Sequence, residues 1–383
     1  MRAQSKPGPA DATKEVAYAP GHRDPREAMR VARALALALL AAVLGCGDGA
    51  GPQLSPRPFL MGFSPMPPRL DPAIIVPSIN YWLPRADAAI MHVSPPWAAL
   101  IRGVSPAAAV DTAQLPLANY FRANRLALVF TVDATDGLNR AAEAPELVAL
   151  GRSVTDTAIQ RLYRDWVFAV ADKLRPDYLG LIAETNLIRA AAPDSVYRAL
   201  VVMANAVAAE VRAAGLPSRL YVSVQVETAW GRLTTGGGPY QGIARDLADF
   251  PFVDAIGLSS YPYLGGFALP EDLPIDYYAR IVQGTTLPVL VVEGGWPSIT
   301  VGSTVSTPAV QARYIARQVQ LVGQTNARAL FQLTFYDLDL TGLTLPPGSV
   351  LPLFTHLGLA DSAMNAKPAL SAWDSVFARP YRP

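Results

Sequence analysis

Eight apolar runs, each long enough for a buried strand, recur along the chain from Phe59 onward and alternate with helical patterns. They are Phe59–Ser64, Ala88–Val93, Leu126–Val132, Tyr178–Ala183, Arg219–Val226, Val253–Ser259, Pro288–Val292 and Leu330–Phe335. Successive starts lie 29, 38, 52, 41, 34, 35 and 42 residues apart, which leaves room for one crossover helix in each interval. Continuous apolar runs suit strands covered on both faces, as in a parallel sheet surrounded by helices. An open doubly wound sheet usually opens with a glycine-rich turn. Here the first run leads into Phe63-Ser-Pro-Met-Pro-Pro68, with no such turn. The spacing therefore predicts a single-domain (β/α)8 TIM barrel over residues 59–383.

The helical segments agree with this. Thr155–Leu174 carries Ile159, Leu162, Trp166, Val170 and Leu174 at near-helical spacing and runs into Pro176. Asp194–Ala214 repeats the pattern with Val196, Leu200, Met203, Val207 and Val211, and stops at Gly215. Gln311–Gln324 and Pro368–Phe377 complete the expected outer ring. A chain that is 51% hydrophobic and 16% charged has ample material for one large core.

The N-terminal region follows different rules. Met29-Arg-Val-Ala-Arg33 followed by Ala34–Leu44 has the basic head and short apolar stretch of a signal peptide, about half the ~20 residues that a spanning helix needs. It ends in Val43-Leu44-Gly45-Cys46, which resembles the lipobox of bacterial lipoproteins. That resemblance implies diacylation of Cys46, the sole cysteine, and an anchor in the cell envelope. Gly47 in place of an aspartate points to the outer membrane or its periplasmic face. Residues 1–28 read as a disordered or spurious extension, 29–45 as the signal, and the Gly/Pro-rich 46–58 as a tether. Without residues 1–45 the chain holds 25 basic and 27 acidic residues and no basic stripe, so a nucleic-acid partner is not expected. The expected state is a monomer.

Two of the runs end in a carboxylate: Leu179-Gly-Leu-Ile-Ala-Glu184-Thr-Asn186 and Val289-Leu-Val-Val-Glu293-Gly-Gly-Trp296. A glutamate at the C-terminal tip of a barrel strand is costly to bury and usually lines a polar pocket. A pair on one rim can divide the work of general acid and nucleophile on a glycosidic bond. Other chemistries lose ground. Beyond Cys46 only His92 and His356 remain for a metal or a serine triad, so neither a metal nor a cofactor is expected. The rest of the rim offers His92, Trp97, Asp133, Asp136, Asn186, Glu227, Trp230, Tyr261, Tyr263, Trp296, Tyr336, Asp337 and Asp339. Aromatic faces stack on sugar rings, and carboxylates and amides bind hydroxyls. A carbohydrate partner is the expectation, with Asn186, Tyr261, Trp296, His92, Trp97, Glu227, Trp230 and Tyr336 as substrate-binding residues.

With these motifs the chain resembles clan A, the retaining (β/α)8 glycoside hydrolases that include endo-β-1,4-galactanases and many β-glycanases. The resemblance implies that Glu184, ending the fourth strand, is the acid/base and Glu293, ending the seventh, the nucleophile. It also implies that the tyrosine of Ser260-Tyr261-Pro262 hydrogen-bonds the nucleophile, and it extends to the tail Leu357-Gly-Leu-Ala-Asp361 and Lys367-Pro-Ala369. Three positions depart from the clan pattern. Ala183 stands where an asparagine usually precedes the acid/base, His92-Val-Ser94 where an arginine is common, and Phe335-Tyr336 where a tryptophan is common. The expected activity is retaining cleavage of a β-linked oligo- or polysaccharide. The alternatives are a surface lipoprotein that binds glycans without cleaving them, and a barrel enzyme of another reaction type using Glu227 and Asp133.

Overall fold

The computed structural model describes residues 54–233 and 237–383. The expected signal segment and Cys46 lie outside the described residues. Eight parallel strands close into a barrel: β1 (Leu60–Phe63), β2 (Ala88–Val93), β3 (Ala127–Val132), β4 (Tyr178–Gly180), β5 (Arg219–Gln225), β6 (Ala255–Ser260), β7 (Val289–Gly294) and β8 (Ala327–Gln332). Each pairs with its neighbours in sequence, and β8 returns to β1. Outside lie α1 (Pro72–Trp82), α2 (Pro106–Ala113), α3 (Leu115–Ala123), α4 (Thr157–Leu174), α5 (Asp194–Ala213), α6 (Ala244–Asp249), α7 (Pro308–Val322) and α8 (Pro368–Phe377). This is a (β/α)8 TIM barrel.

Three elements differ from the sequence expectation. The interval between β6 and β7 contains no α-helix among the described residues, only 3-10 turns at Pro262–Gly265 and Pro270–Asp272. Prolines 262, 270 and 274 deny that stretch the continuous N–H ladder a helix needs. β8 lies three residues earlier than the apolar run suggested. Its expected last residue, Phe335, leaves the sheet to pack outward, edge-on to Phe63 at 4.8 Å. β4 has only three residues, because the chain departs from the ladder after Gly180.

That departure has a cause inside the barrel. Tyr221 on β5 is fully buried and its hydroxyl meets Thr131 Oγ1 at 2.5 Å across the barrel interior. A Cβ on Gly180 would lie 2.5 Å from the Tyr221 ring, so glycine is what lets β4 pass that ring. Four residues further on, Glu184 takes a left-handed conformation (φ 51°, ψ 49°) that residues other than glycine seldom adopt. Its N–H donates to Ser223 Oγ at 2.9 Å, and its carbonyl accepts from Leu187 and Ile188 at the start of the short helix Thr185–Ala191. Such strain is found where surrounding bonds over-determine the backbone, commonly at functional sites.

β7 reaches its carboxylate by another route. Leu290 and Val292 belong to the cluster inside the barrel, whereas Val289 and Val291 join the outer layer. Strict alternation would send Glu293 outward with them. The pairing with β6 slips at this point, from Leu258 opposite Val291 to Ser259 opposite Glu293. The additional residue re-aims Glu293 over the mouth of the barrel.

Candidate active site

Glu184 and Glu293 line one cavity of about 370 Å³ at the C-terminal ends of the strands, together with His92, Asp133, Arg140, Gln225 and Tyr261. Both carboxylates are nearly buried. Glu293 Oε2 accepts from the Tyr261 hydroxyl at 3.1 Å, and its Oε1 lies 3.5 Å from His92 Nδ1. His92 Nε2 sits 3.2 Å from the Val292 carbonyl. A carbonyl can only accept, so Nε2 carries the hydrogen. Burial pushes the imidazole down to about 4, which keeps it neutral and leaves Nδ1 as an acceptor facing Glu293.

Burial and the neighbouring Glu184 charge push the Glu293 carboxyl up to about 8, against the opposing influence of the Arg140 guanidinium and the Tyr261 hydrogen bond. On the other side of the site, Glu184 Oε2 accepts from Arg140 Nε at 2.8 Å and Oε1 accepts from Ser259 Oγ at 2.7 Å. The Arg140 Nη1 also bonds Asp133 Oδ1 and Thr135 Oγ1. Surrounded by Asp133, Glu184 and Glu293, the guanidinium is held even more firmly protonated than usual.

Arg140 was not legible as a site residue. It is carried on a small hairpin, Thr135–Asp136 paired with Asn139–Glu143, inserted after β3. The Asp136-Gly137 dipeptide was the available signal, since it favours a tight turn between short strands. Ser223, Ser259 and Gln225 were missed as well. Each ends or nearly ends a strand, where a small polar side chain gives no distinctive pattern.

Of the sequence-predicted binding residues, His92 and Tyr261 line the cavity; Asn186, Trp97, Glu227, Trp230, Trp296 and Tyr336 do not. Asn186 spends both ends of its amide on the Gln225 backbone, at 2.8 and 2.7 Å, and so ties the short helix Thr185–Ala191 to the end of β5. Glu227 is fully buried beneath the site and accepts from Ser260 Oγ and Tyr277 hydroxyl at 2.9 Å, Tyr261 N–H at 3.0 Å, and Gln225 Nε2. Even with these donors, burial raises its carboxyl above the ordinary range. Trp97 is enclosed in the outer core. Trp230 stacks on Tyr277 at 5.2 Å and donates Nε1 to the Tyr277 carbonyl at 3.0 Å. Tyr336 is buried with its hydroxyl on the Ser78 carbonyl.

Trp296 turns away from the cavity. Its Nε1 donates to Ser306 Oγ at 3.1 Å, and its ring packs 5.4 Å from Tyr314 of α7. Tyr263 donates to the Leu353 carbonyl, and Asp337 takes Lys367 Nζ at 2.6 Å and the Gly358 N–H at 3.0 Å. Asp136 and Asp339 accept from backbone N–H groups two residues on. In place of the expected aromatic rim, the cavity walls carry seven leucines, Met66 and Phe354. Among the described residues no group of three or more His, Cys, Asp and Glu side chains could hold a metal ion.

Comparison with known proteins gives fold neighbours only. No family model matches the sequence, and no curated protein matches it. Among solved structures, the exo-β-1,4-mannosidase Op5Man5 from Opitutaceae bacterium strain TAV5 is similar with a TM-score of 0.61 at 14% identity, covering 87% of this chain and 61% of that one. A family 39 glycoside hydrolase from Bacteroides cellulosilyticus WH2 gives a TM-score of 0.57 at 17% identity, over 84% and 64% of the two chains. This chain thus spans less than two thirds of either protein. The β-glucosidase from Thermotoga maritima gives 0.57 at 10% identity, over 85% of this chain and 98% of that one. All three are glycoside hydrolases by name, and at these identities what they share with this chain is the fold.

The position of Trp296 sets up a direct measurement. Trp296→Ala should remove about 3–5 kcal/mol of stability, read as a fall in the denaturation midpoint, because the ring is fully packed. An unchanged midpoint with a large loss of turnover would mean that the ring reaches the substrate instead.

Proposed function

We propose that this protein is a retaining β-glycoside hydrolase whose catalytic pair is Glu184 and Glu293. The observation that carries the reading is that these two carboxylates, from β4 and β7, converge on one cavity while Tyr261 holds one and Arg140 and Ser259 hold the other. The fold neighbours named above as a mannosidase and a glucosidase support the same reaction class. Glu293 attacks the anomeric carbon, and the bond to the leaving oxygen breaks as Glu184 delivers a proton to it. Glu184 then takes a proton from water, whose oxygen displaces Glu293 with a second inversion.

The pair works with one proton between its two members. In the free protein that proton rests on the Glu293 side, because Arg140 and Ser259 already supply donors to both oxygens of Glu184. This arrangement also supports a second reading, with Glu184 as nucleophile and Glu293 as acid. The two differ in stereochemistry under rescue. If Glu184 is the acid/base, Glu184→Ala should lose roughly 10²–10⁴-fold on substrates with poor leaving groups. It should lose far less on activated aryl β-glycosides, and azide should give a glycosyl azide of retained configuration. Glu293→Ala should be inactive, with azide giving the inverted product. Inverted azide from Glu184→Ala would reverse the roles; inversion by the wild type would end the retaining reading.

The pH profile follows from the same pair. Loss of the shared proton inactivates it, so the alkaline limb of kcat/KM should fall near the value of about 8 set for Glu293. The Arg140 guanidinium favours that loss, so its removal in Arg140→Gln should move the limb to higher pH. A limb that stays in place in the variant would break the proposed link.

The proposal also places the protein on the cell envelope through a diacylated Cys46. Cys46→Ser should shift it from the membrane fraction to the soluble one or block its processing. A mature chain whose mass retains residues 1–45 would overturn this.

A further inference from the structure

The catalytic floor and the walls above it are chemically unlike. Among the described residues, the floor carries the polar side chains that line the cavity: His92, Asp133, Arg140, Glu184, Gln225, Tyr261 and Glu293. Above it the walls are aliphatic, with Leu187 after β4, Leu264 after β6, and Leu333, Leu338 and Leu351 after β8. The apolar lining continues outward, because Met66 and Leu138 remain 40% and 43% exposed at the mouth. A second sugar in these walls would bury hydroxyls against leucine methyl groups, with no side-chain donor or acceptor and no open aromatic face among the described lining residues. Tyr261 has its hydroxyl on Glu293, and Phe354 packs edge-on to the Tyr261 ring at 5.0 Å.

We infer that the substrate is a glycoside of one sugar and an aliphatic alcohol, with the alkyl chain lodged between the leucine walls. This rests on the hydrolase reading and narrows it to a substrate class. The bond that breaks joins the anomeric carbon to the aglycone oxygen. The proton delivered by the acid goes to that oxygen, and the products are the free sugar and a long-chain alcohol. At about 370 Å³ the cavity stands at the lower end of the roughly 300–1,000 Å³ of small-molecule sites, suited to a sugar with part of a chain rather than to an oligosaccharide.

The test uses matched methyl, hexyl and octyl β-glucosides, β-galactosides and β-mannosides below their micelle concentrations, beside a disaccharide of each sugar. Hydrolysis and calorimetric binding are measured on the same samples. Each methylene buried in the walls should raise kcat/KM or affinity by about fourfold, so octyl should exceed methyl by well over tenfold. A Leu264→Ser, Leu351→Ser double variant should flatten this chain-length dependence, and the wild-type series stands by itself if that variant does not fold. Hydrolysis that ignores chain length, or that favours the disaccharide over the octyl glycoside, overturns the inference and leaves the hydrolase reading intact. Binding that grows with chain length without hydrolysis supports the apolar site and removes the hydrolase reading. Neither binding nor hydrolysis across the series rejects both.

Discussion

Three carboxylates and one guanidinium share the mouth of this barrel, and the rest of the site is arranged around that imbalance. Asp133, Glu184 and Glu293 face the same small volume, and Arg140 is the single cation among the described residues lining it, since burial keeps His92 neutral. Three like charges against one cannot all persist at low dielectric, so one carboxyl must carry a proton. Arg140 decides which. It reaches Asp133 and Glu184 by direct hydrogen bonds and touches Glu293 only through its field. The proton is therefore displaced onto the carboxyl that the guanidinium does not contact.

A second buried carboxylate makes the first arrangement rigid. Glu227 does not meet the cavity, yet its Oε2 accepts the Tyr261 N–H and its Oε1 the Ser260 hydroxyl. It thus fixes the backbone of the residue whose hydroxyl holds Glu293. An isolated carboxylate in such a place would be strongly destabilising, and four donors from β5, β6 and the following loop offset much of that cost. The sequence pattern presented Glu227 as a rival for the chemistry. Its surroundings make it a support under the site, because none of its oxygens is left to face a substrate.

The parts of this molecule that were legible in the sequence are those governed by local pattern. Apolar runs located all eight strands, with β2 and α8 at the expected bounds, because burial on both faces leaves no freedom for polar residues. Glu184 and Glu293 stood out because each interrupts such a run. What could not be read was direction. Trp97, Trp230, Trp296 and Tyr336 all lie near strand ends, yet each turns away from the cavity, Trp230 to stack on Tyr277 and the others into the outer core. Whether a loop residue faces the mouth or the outer layer depends on backbone turns that spacing does not encode. The same limit hid Arg140, whose reach depends on the path of the hairpin after β3.

Glu293 shows how narrow the margin was. The apolar alternation of β7 predicts an outward carboxylate, and only the slip opposite Ser259 turns it inward. Glu184 needs a left-handed backbone to do the same from β4. Both carboxylates reach the cavity by leaving regular strand geometry, one by an extra residue and one by a disfavoured dihedral. The two devices meet at Ser259, which stands opposite Glu293 in the ladder and donates its hydroxyl to Glu184. A single serine on β6 thereby couples the register of β7 to the side-chain position of Glu184. Backbone irregularity here is the means by which a parallel barrel, whose regular strands would bury or expose these residues uselessly, brings two acids to one point.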